Sequence, residues 1–121
     1  MIAQIWRLKR RAEFLRVAAG RKKWATPGLI LQALPQLPED HGSGTGGLRI
    51  GFTASRKVGI AVIRNRARRR LKAAVALLMP LHAAEGYDYV LIARADTNRR
   101  PFAALLQDLE MALRKLDLWR A

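Results

Sequence analysis

The sequence predicts an α+β fold, a mixed sheet with helices packed against it. Three observations lead there. Apolar residues recur at helical spacing in three separate segments. Runs rich in Val, Ile, Leu and Tyr, bounded by Gly or Pro, lie between them. Their order is helix, a hairpin or pair of strands, strand, helix, strand, helix, and such a chain buries its apolar faces by laying helices on a sheet. With 121 residues, the chain is expected to form one domain over 1–121. It shows no internal repeat.

The elements follow in order. Residues 1–7 read as a loose leader. Leu8 to Ala19 reads as a helix with Leu8, Ala12, Leu15 and Ala19 on one stripe, ended by Gly20. Phe14 and Ala18 share a second face beside it. Arg21 to Leu34 reads as extended structure broken at Thr26-Pro27-Gly28, because Pro27 lacks the N–H that a sheet ladder needs. Pro35 to Gly47, with two prolines and a Gly-Ser-Gly-Thr-Gly-Gly run, reads as a flexible surface loop. Leu48 to Ala54 is a strand. A long helix is expected from Ala61 to Met79, stopped by Pro80. Tyr87 to Arg94, introduced by Gly86, reads as a strand buried on both faces. A last helix starts near Pro101, with Phe102, Leu105, Leu106, Leu109, Leu113 and Leu116 as its apolar stripe.

Charge bounds the function. Lys and Arg number 23 against 9 acids, a formal net charge of +14. No acid stands between His41 and Ala84, and before Glu39 the only one is Glu13. Unpaired like charges destabilise a compact state, so an imbalance of this size points to a polyanionic partner. Nucleic acid is the first candidate, and an anionic membrane surface the second. No run of about 18 apolar residues suggests a membrane span, and the N-terminus lacks the pattern of a signal peptide. There is no cysteine, so disulfides and thiolate metal sites are excluded, and a cytoplasmic location is expected.

The segment Arg64-Asn65-Arg66-Ala67-Arg68-Arg69-Arg70-Leu71-Lys72 is basic at six of nine positions. On a helix at roughly 100° per residue, Ala67, Leu71, Ala74, Val75 and Leu78 cluster on one side. Arg66, Arg68, Arg69, Arg70 and Lys72 occupy the rest. Arg64 falls on the apolar side by angle, near the helix start. A guanidinium fork can hold two phosphate oxygens and can stack on a base, and Asn65 adds a donor and an acceptor. Arg56 and Lys57 precede the helix and extend the patch. The plain alternative is a solvated helix face.

The run Arg49-Ile50-Gly51-Phe52-Thr53-Ala54-Ser55-Arg56-Lys57-Val58-Gly59, continuing Ile60-Ala61-Val62-Ile63-Arg64-Asn65-Arg66, resembles the signature of the bacterial ribonuclease P protein family. In that family an R-h-G-h-S-V-S-K-K-V-G strand (h apolar) leads into an R-N-R helix. Leu8 to Phe14 is similar to the family's opening helix, and Gly86 to Arg94 to its last strand.

The resemblance implies a fold like ribosomal protein S5 domain 2. That is a two-layer sandwich with a four-stranded mixed sheet, three helices, the order α-β-β-β-α-β-α and a left-handed βαβ crossover around the R-N-R helix. It implies an accessory subunit of an endoribonuclease whose catalytic groups lie on an RNA, with no catalytic residue and no metal site on this chain. Arg64, Asn65, Arg66, Arg68, Arg69 and Lys72 match the positions that bind the catalytic RNA. Phe14, Ala18, Gln32, Arg56, Lys57 and Arg94 match or adjoin a cleft for the single-stranded 5′ leader of precursor tRNA. Magnesium is used by the holoenzyme, and one monomeric protein is expected per RNA. The chain departs from the family pattern where Ala18 replaces a second aromatic, Gln32 a tyrosine, and Thr26-Pro27 an Asn-Arg pair. Phe14 is then either a stacking platform or a core residue.

No constellation for catalysis by the protein stands out. His41 and His82 are isolated, Asp88 and Asp96 only flank one strand, and Gly42 to Gly47 lacks the Lys-Ser/Thr of a phosphate loop. The rival readings are a structural ribosomal protein and a protein nuclease; the R-N-R helix after a glycine-bearing strand argues against the first, the missing acid/base or metal set against the second. Trp6, Trp24 and Trp119 are expected to pack rather than to touch RNA.

Overall fold

The computed structural model describes residues 2–37 and 47–121. The elements are β1 (Ile5–Arg7), α1 (Arg11–Ala19), β2 (Lys22–Thr26), β3 (Leu29–Pro35), β4 (Leu48–Thr53), α2 (Ala61–His82), β5 (Tyr87–Ala93), a 3-10 turn (Ala95–Asn98) and α3 (Phe102–Lys115). The strands form one sheet in the order β1-β4-β5-β3-β2. It is mixed, as expected. β1 and β5 each run parallel to β4, while β5–β3 and β3–β2 are antiparallel. The strands flanking the basic helix are parallel neighbours, in register from Leu48↔Tyr87 to Thr53↔Ile92.

The sheet has five strands rather than four. The expected leader supplies the extra one: Ile5, Trp6 and Arg7 pair with Leu48, Arg49 and Ile50. Three residues carry too little pattern to signal a strand. What makes them one is the free edge of β4, reinforced by the Leu48 N–H donating to Gln4 and the Leu8 N–H donating to Ile50.

Period-two alternation assigns the two faces of the sheet. Leu29, Leu31, Ala33, Leu48, Ile50, Tyr89, Leu91 and Ala93 point into the main core with α2 and α3. Val90, with partly buried Leu34 and Ile92, points to the other face, where α1 contributes Val17 and Phe14 and the link between β1 and α1 contributes Leu8. Helices therefore lie on both faces, and the expected two-layer sandwich lacks the α1 layer.

α1 is also shorter and turned differently than its spacing suggests. It starts at Arg11, and Leu15 is 54% exposed while Val17 is fully buried. Ala12 and Ala19 are exposed too. The helix rests on the sheet through Phe14, whose ring lies against Gly51. A Cβ at Gly51 would stand 2.4 Å from the Phe14 Cε1. Strand chemistry on β4, not the helix's own periodicity, decides which side faces down.

α2 continues through Pro80 to His82. The bond lost at Pro80 would have gone to the carbonyl of Ala76, an exposed residue, where water can replace it. The Ala83 N–H to Met79 bond closes the helix. Gly86 then turns the chain into β5 with φ +83, a region that glycine enters without a Cβ clash. The expected loop at 35–47 mostly falls outside the described residues; Pro35 belongs to β3, and the Gln36 side chain bridges to Gly47 and Tyr87 carbonyls. α3 buries Leu105, Leu109 and Leu113 as expected, with Leu116 just past its end, along with Ala112 and the unexpected Asp108, while Phe102 and Leu106 are half-buried.

Gly51→Ala should lower stability by about 1–3 kcal/mol through overpacking. Phe14→Ala in the same chain should recover part of that loss. Urea unfolding of the two single variants and the double variant measures the coupling, which should exceed about 0.5 kcal/mol for residues in direct contact.

Candidate nucleic-acid interface

α2 carries no acidic residue along its length. Five acids among the described residues pair with arginines elsewhere: Glu13 with Arg49, Asp88 with Arg16 and Arg49, Asp96 with Arg99, Asp108 with Arg100, and Glu110 with Arg114. No ion pair among the described residues uses an α2 side chain. The helix keeps its positive charge because none of these pairs draws on its side chains.

The expected RNA-binding residues divide by orientation. Arg66 and Arg69 are exposed and make no hydrogen bond or ion pair among the described residues. Asn65 is exposed and its Oδ1 accepts from Arg68. Lys72 is half-buried, its Nζ 5.9 Å from the Phe52 ring centroid, with the Arg7 guanidinium 5.5 Å from the same ring. Arg64 is half-buried at the helix start and lines a groove of about 460 Å³ with Arg56, Gly59, Ile60 and Ala61. Arg70, which helical angle puts on the cationic side, turns inward instead. Its fork donates to the carbonyls of Thr97 and Arg100, latching α2 onto the 3-10 turn. Sequence gives no sign of this, since the acceptors are backbone groups 27 and 30 residues away.

The six expected cleft residues reach the α1 face and the edge of the sheet where β4 and β5 end. Phe14 forms the α1 wall, partly buried over Gly51, with Ala18 exposed one turn further on. Gln32, 9% exposed, stands on β3 opposite Val90, and so on the same face. Arg56 and Lys57 are exposed in the turn after β4, and Arg94 is exposed just after β5. Because β4 and β5 are parallel, these groups leave the sheet at one edge. Arg94 is partly committed there, donating to the Thr26 carbonyl at 2.7 Å. Alternation adds three residues that motif reasoning passes over: Ile30, Thr53 and Ile92 line the same face without being fully buried.

A charged network fixes this wall. Asp88, 1% exposed, takes Arg16 at 3.2 Å and Arg49 at 3.4 Å, and Arg49 reaches on to Glu13. The other Glu13 oxygen accepts the backbone N–H groups of Arg10 and Lys9, at 2.8 and 3.0 Å, and so caps the start of α1. Partial burial pushes the Glu13 carboxyl up, but those two N–H groups and the charges of Arg49 and Arg10 outweigh it, and its pKa lies below the ordinary value.

Two of the tryptophans meet side chains of this chain. Trp119 stacks on His82 at 4.2 Å with Arg114 over its ring, and Lys115 stands over Trp24. Trp6 is 48% exposed on β1. Among the described residues, no three His, Cys, Asp or Glu side chains gather as a metal-ligand set, and no helix is long and apolar enough to cross a membrane.

Comparison with known proteins places these features in a family. The family model described as Ribonuclease P matches residues 2–117. The ribonuclease P protein component of Paramagnetospirillum magneticum is 57% identical over 116 residues, which cover 96% of this chain and 86% of that one. The corresponding protein of Gluconacetobacter diazotrophicus is 50% identical over 109 residues, 90% of this chain and 89% of its own. Among solved structures, the Staphylococcus aureus RNase P protein superposes with a TM-score of 0.76 at 22% identity, covering 95% of this chain and 98% of that one. The Thermotoga maritima RNase P protein gives 0.73 at 22% identity, covering 90% and 96%. At that identity the structural likeness speaks for the fold.

The lowered pKa of Glu13 predicts a pH dependence. A carboxylate whose folded pKa is depressed contributes stability above its unfolded pKa, near 4.5, and loses it as pH falls through the folded value. Glu13→Gln should therefore destabilise the protein at pH 7, and the gap from the unsubstituted chain should narrow as pH falls below about 4.5. Urea unfolding across that range measures it; a gap independent of pH would contradict the assigned role.

Proposed function

The chain belongs to the ribonuclease P protein family, and on that premise we propose how it serves tRNA processing by ribonuclease P. It acts within an endoribonuclease complex as the partner of the ribonuclease P RNA, which carries the catalytic groups and cleaves the 5′ leader from precursor tRNA. The observation that carries this reading is the acid-free cationic face of α2. Arg64, Asn65, Arg66, Arg68, Arg69 and Lys72 bind the RNA by its phosphates and shape, since side chains cannot read the deep groove of an A-form helix. Phe14, Ala18, Gln32, Arg56, Lys57 and Arg94 hold the single-stranded leader across the α1 face, with Phe14 as the stacking platform.

The same reading takes the β4–α2–β5 crossover as left-handed, a hand found in roughly 2% of such connections. It takes one monomeric protein per RNA, working in the cytoplasm. On this reading the magnesium used by the holoenzyme sits on RNA phosphates. The protein's part is to bring cationic charge beside those phosphates and to orient the leader.

Reconstitution with a cognate catalytic RNA tests the assignment directly: addition of the chain should promote cleavage of precursor tRNA to the mature 5′ end. Arg64→Ala with Arg68→Ala should weaken RNA binding and flatten the slope of log K against log salt by roughly one unit per lost phosphate contact. An unchanged slope in a folded double variant would count against these residues.

The leader site has its own test. Phe14→Leu keeps apolar bulk over Gly51 but removes the π-face. It should lower affinity for precursor tRNA about fivefold or more and leave affinity for mature tRNA unchanged. Ala18→Phe should strengthen precursor binding by adding a second aromatic. If the precursor-to-mature ratio does not move in either variant, Phe14 only packs.

A further inference from the structure

α2 and α3 enclose a second groove, remote from the α1 face. It has a volume of about 340 Å³ and is lined by Arg66, Arg69, Arg70, Ala73 and Phe102. Its parts differ in availability. Arg70 is held by the carbonyls of Thr97 and Arg100, so it shapes the groove without offering its fork. Arg66 and Arg69, three residues apart on one helix face, are exposed and engaged by nothing among the described residues. Ala73 is exposed and short, which keeps the groove open next to Phe102. Phe102 packs partly on the core and keeps part of its surface accessible. Among the described residues no cation stands over its ring, whereas the Phe52 ring has two.

From this juxtaposition we propose that the α2–α3 groove is a binding site for one unpaired nucleotide of an RNA strand, its base on Phe102 and its phosphate on Arg66 and Arg69. An aromatic ring sharing a groove with two guanidinium groups that no described residue engages suits a π-face joined to an anion, which is the chemistry of a nucleotide. A base still paired in an A-form helix cannot present its face to a side chain, so the ligand must be bulged, looped or terminal. The cationic wall disfavours a second copy of this chain, because it would meet its own charge. The inference rests on α2 as an RNA-binding helix and adds to it an aromatic contact supplied by α3.

The test uses the full chain and three probes. In an NMR titration, AMP should shift both the Phe102 ring resonances and the Arg66 and Arg69 guanidinium signals. Ribose 5-phosphate and inorganic phosphate should move only the guanidinium signals. Ala73→Leu fills the groove at an exposed position without changing charge and should abolish the AMP effect on Phe102. In the complex with the catalytic RNA, Phe102→Leu should weaken binding about fivefold or more while leaving the salt slope unaltered, because no phosphate contact is lost. Phe102 signals that respond alike to AMP and ribose 5-phosphate would overturn the proposal, as would a Phe102→Leu variant with unchanged RNA affinity. If AMP binds the groove but the RNA does not use it, the claim of an RNA strand fails. Failure of the underlying reading would look different: the salt slope would then ignore Arg64 and Arg68.

Discussion

Asp88 is the point from which the α1 face is built. A carboxylate buried to 1% exposure in mid-strand is costly unless opposite charge reaches it. Arg16 comes from the helix above and Arg49 from the neighbouring strand, and Arg49 extends to Glu13 at the start of the same helix. One acid thus ties α1 to β4 and β5 at once. The consequence is register more than net stability, since burying such pairs returns little beyond their desolvation cost. If α1 slid by a turn, Arg16 would leave Asp88 and Phe14 would leave the glycine that makes room for it. The helix and the sheet face beneath it are set together.

Charge is distributed by the same logic across the molecule. Five carboxylates among the described residues pair with Arg16 of α1, Arg49 of β4, Arg99 and Arg100 just after the 3-10 turn, and Arg114 of α3. Among the described residues none of them is ion-paired with α2, so that helix keeps its cationic charge. Association with a polyanion then releases counterions from the partner. Arg70 is the exception that holds the helix in place. By giving its fork to two backbone carbonyls it joins α2 to the 3-10 turn, where the buried Thr97 hydroxyl donates to the Gly28 carbonyl at 2.6 Å and Arg94 reaches Thr26. The basic helix, the sheet edge and the β2–β3 turn are linked by hydrogen bonds to main-chain carbonyls rather than by charge pairs.

How far the sequence could be read depended on the range of the signal. Strands β3, β4 and β5 and helices α2 and α3 announce themselves through apolar spacing inside a dozen residues, and the structure has them within a few positions of expectation. β1 was not legible, because three residues give no period and its partner lies more than forty positions away. The stripe on α1 was misleading for a related reason. Leu15 sits on a plausible apolar face, yet Glu13, Phe14 and Arg16 each have a specific partner on the sheet, and those partners turn the helix. Pro80 marks the end of α2 only approximately, because it stands two residues before the helix ends and the carbonyl it leaves without a partner belongs to the exposed Ala76.

The amino-acid sequence is enough to show that this chain is strongly basic, that it folds as a mixed sheet with helices, and that it carries the strand and R-N-R helix of its family. These are properties of composition and of short segments, which survive without knowledge of long-range contacts. Tertiary structure alone decided which arginines remain free and which are consumed. Arg66, Arg69 and Arg70 are alike in sequence, but only Arg70 faces backbone carbonyls, and only Arg66 and Arg69 border an open groove with Phe102. A charge becomes available or committed according to what the fold brings within about 3 Å of it, and that distance is not written in any local run of residues.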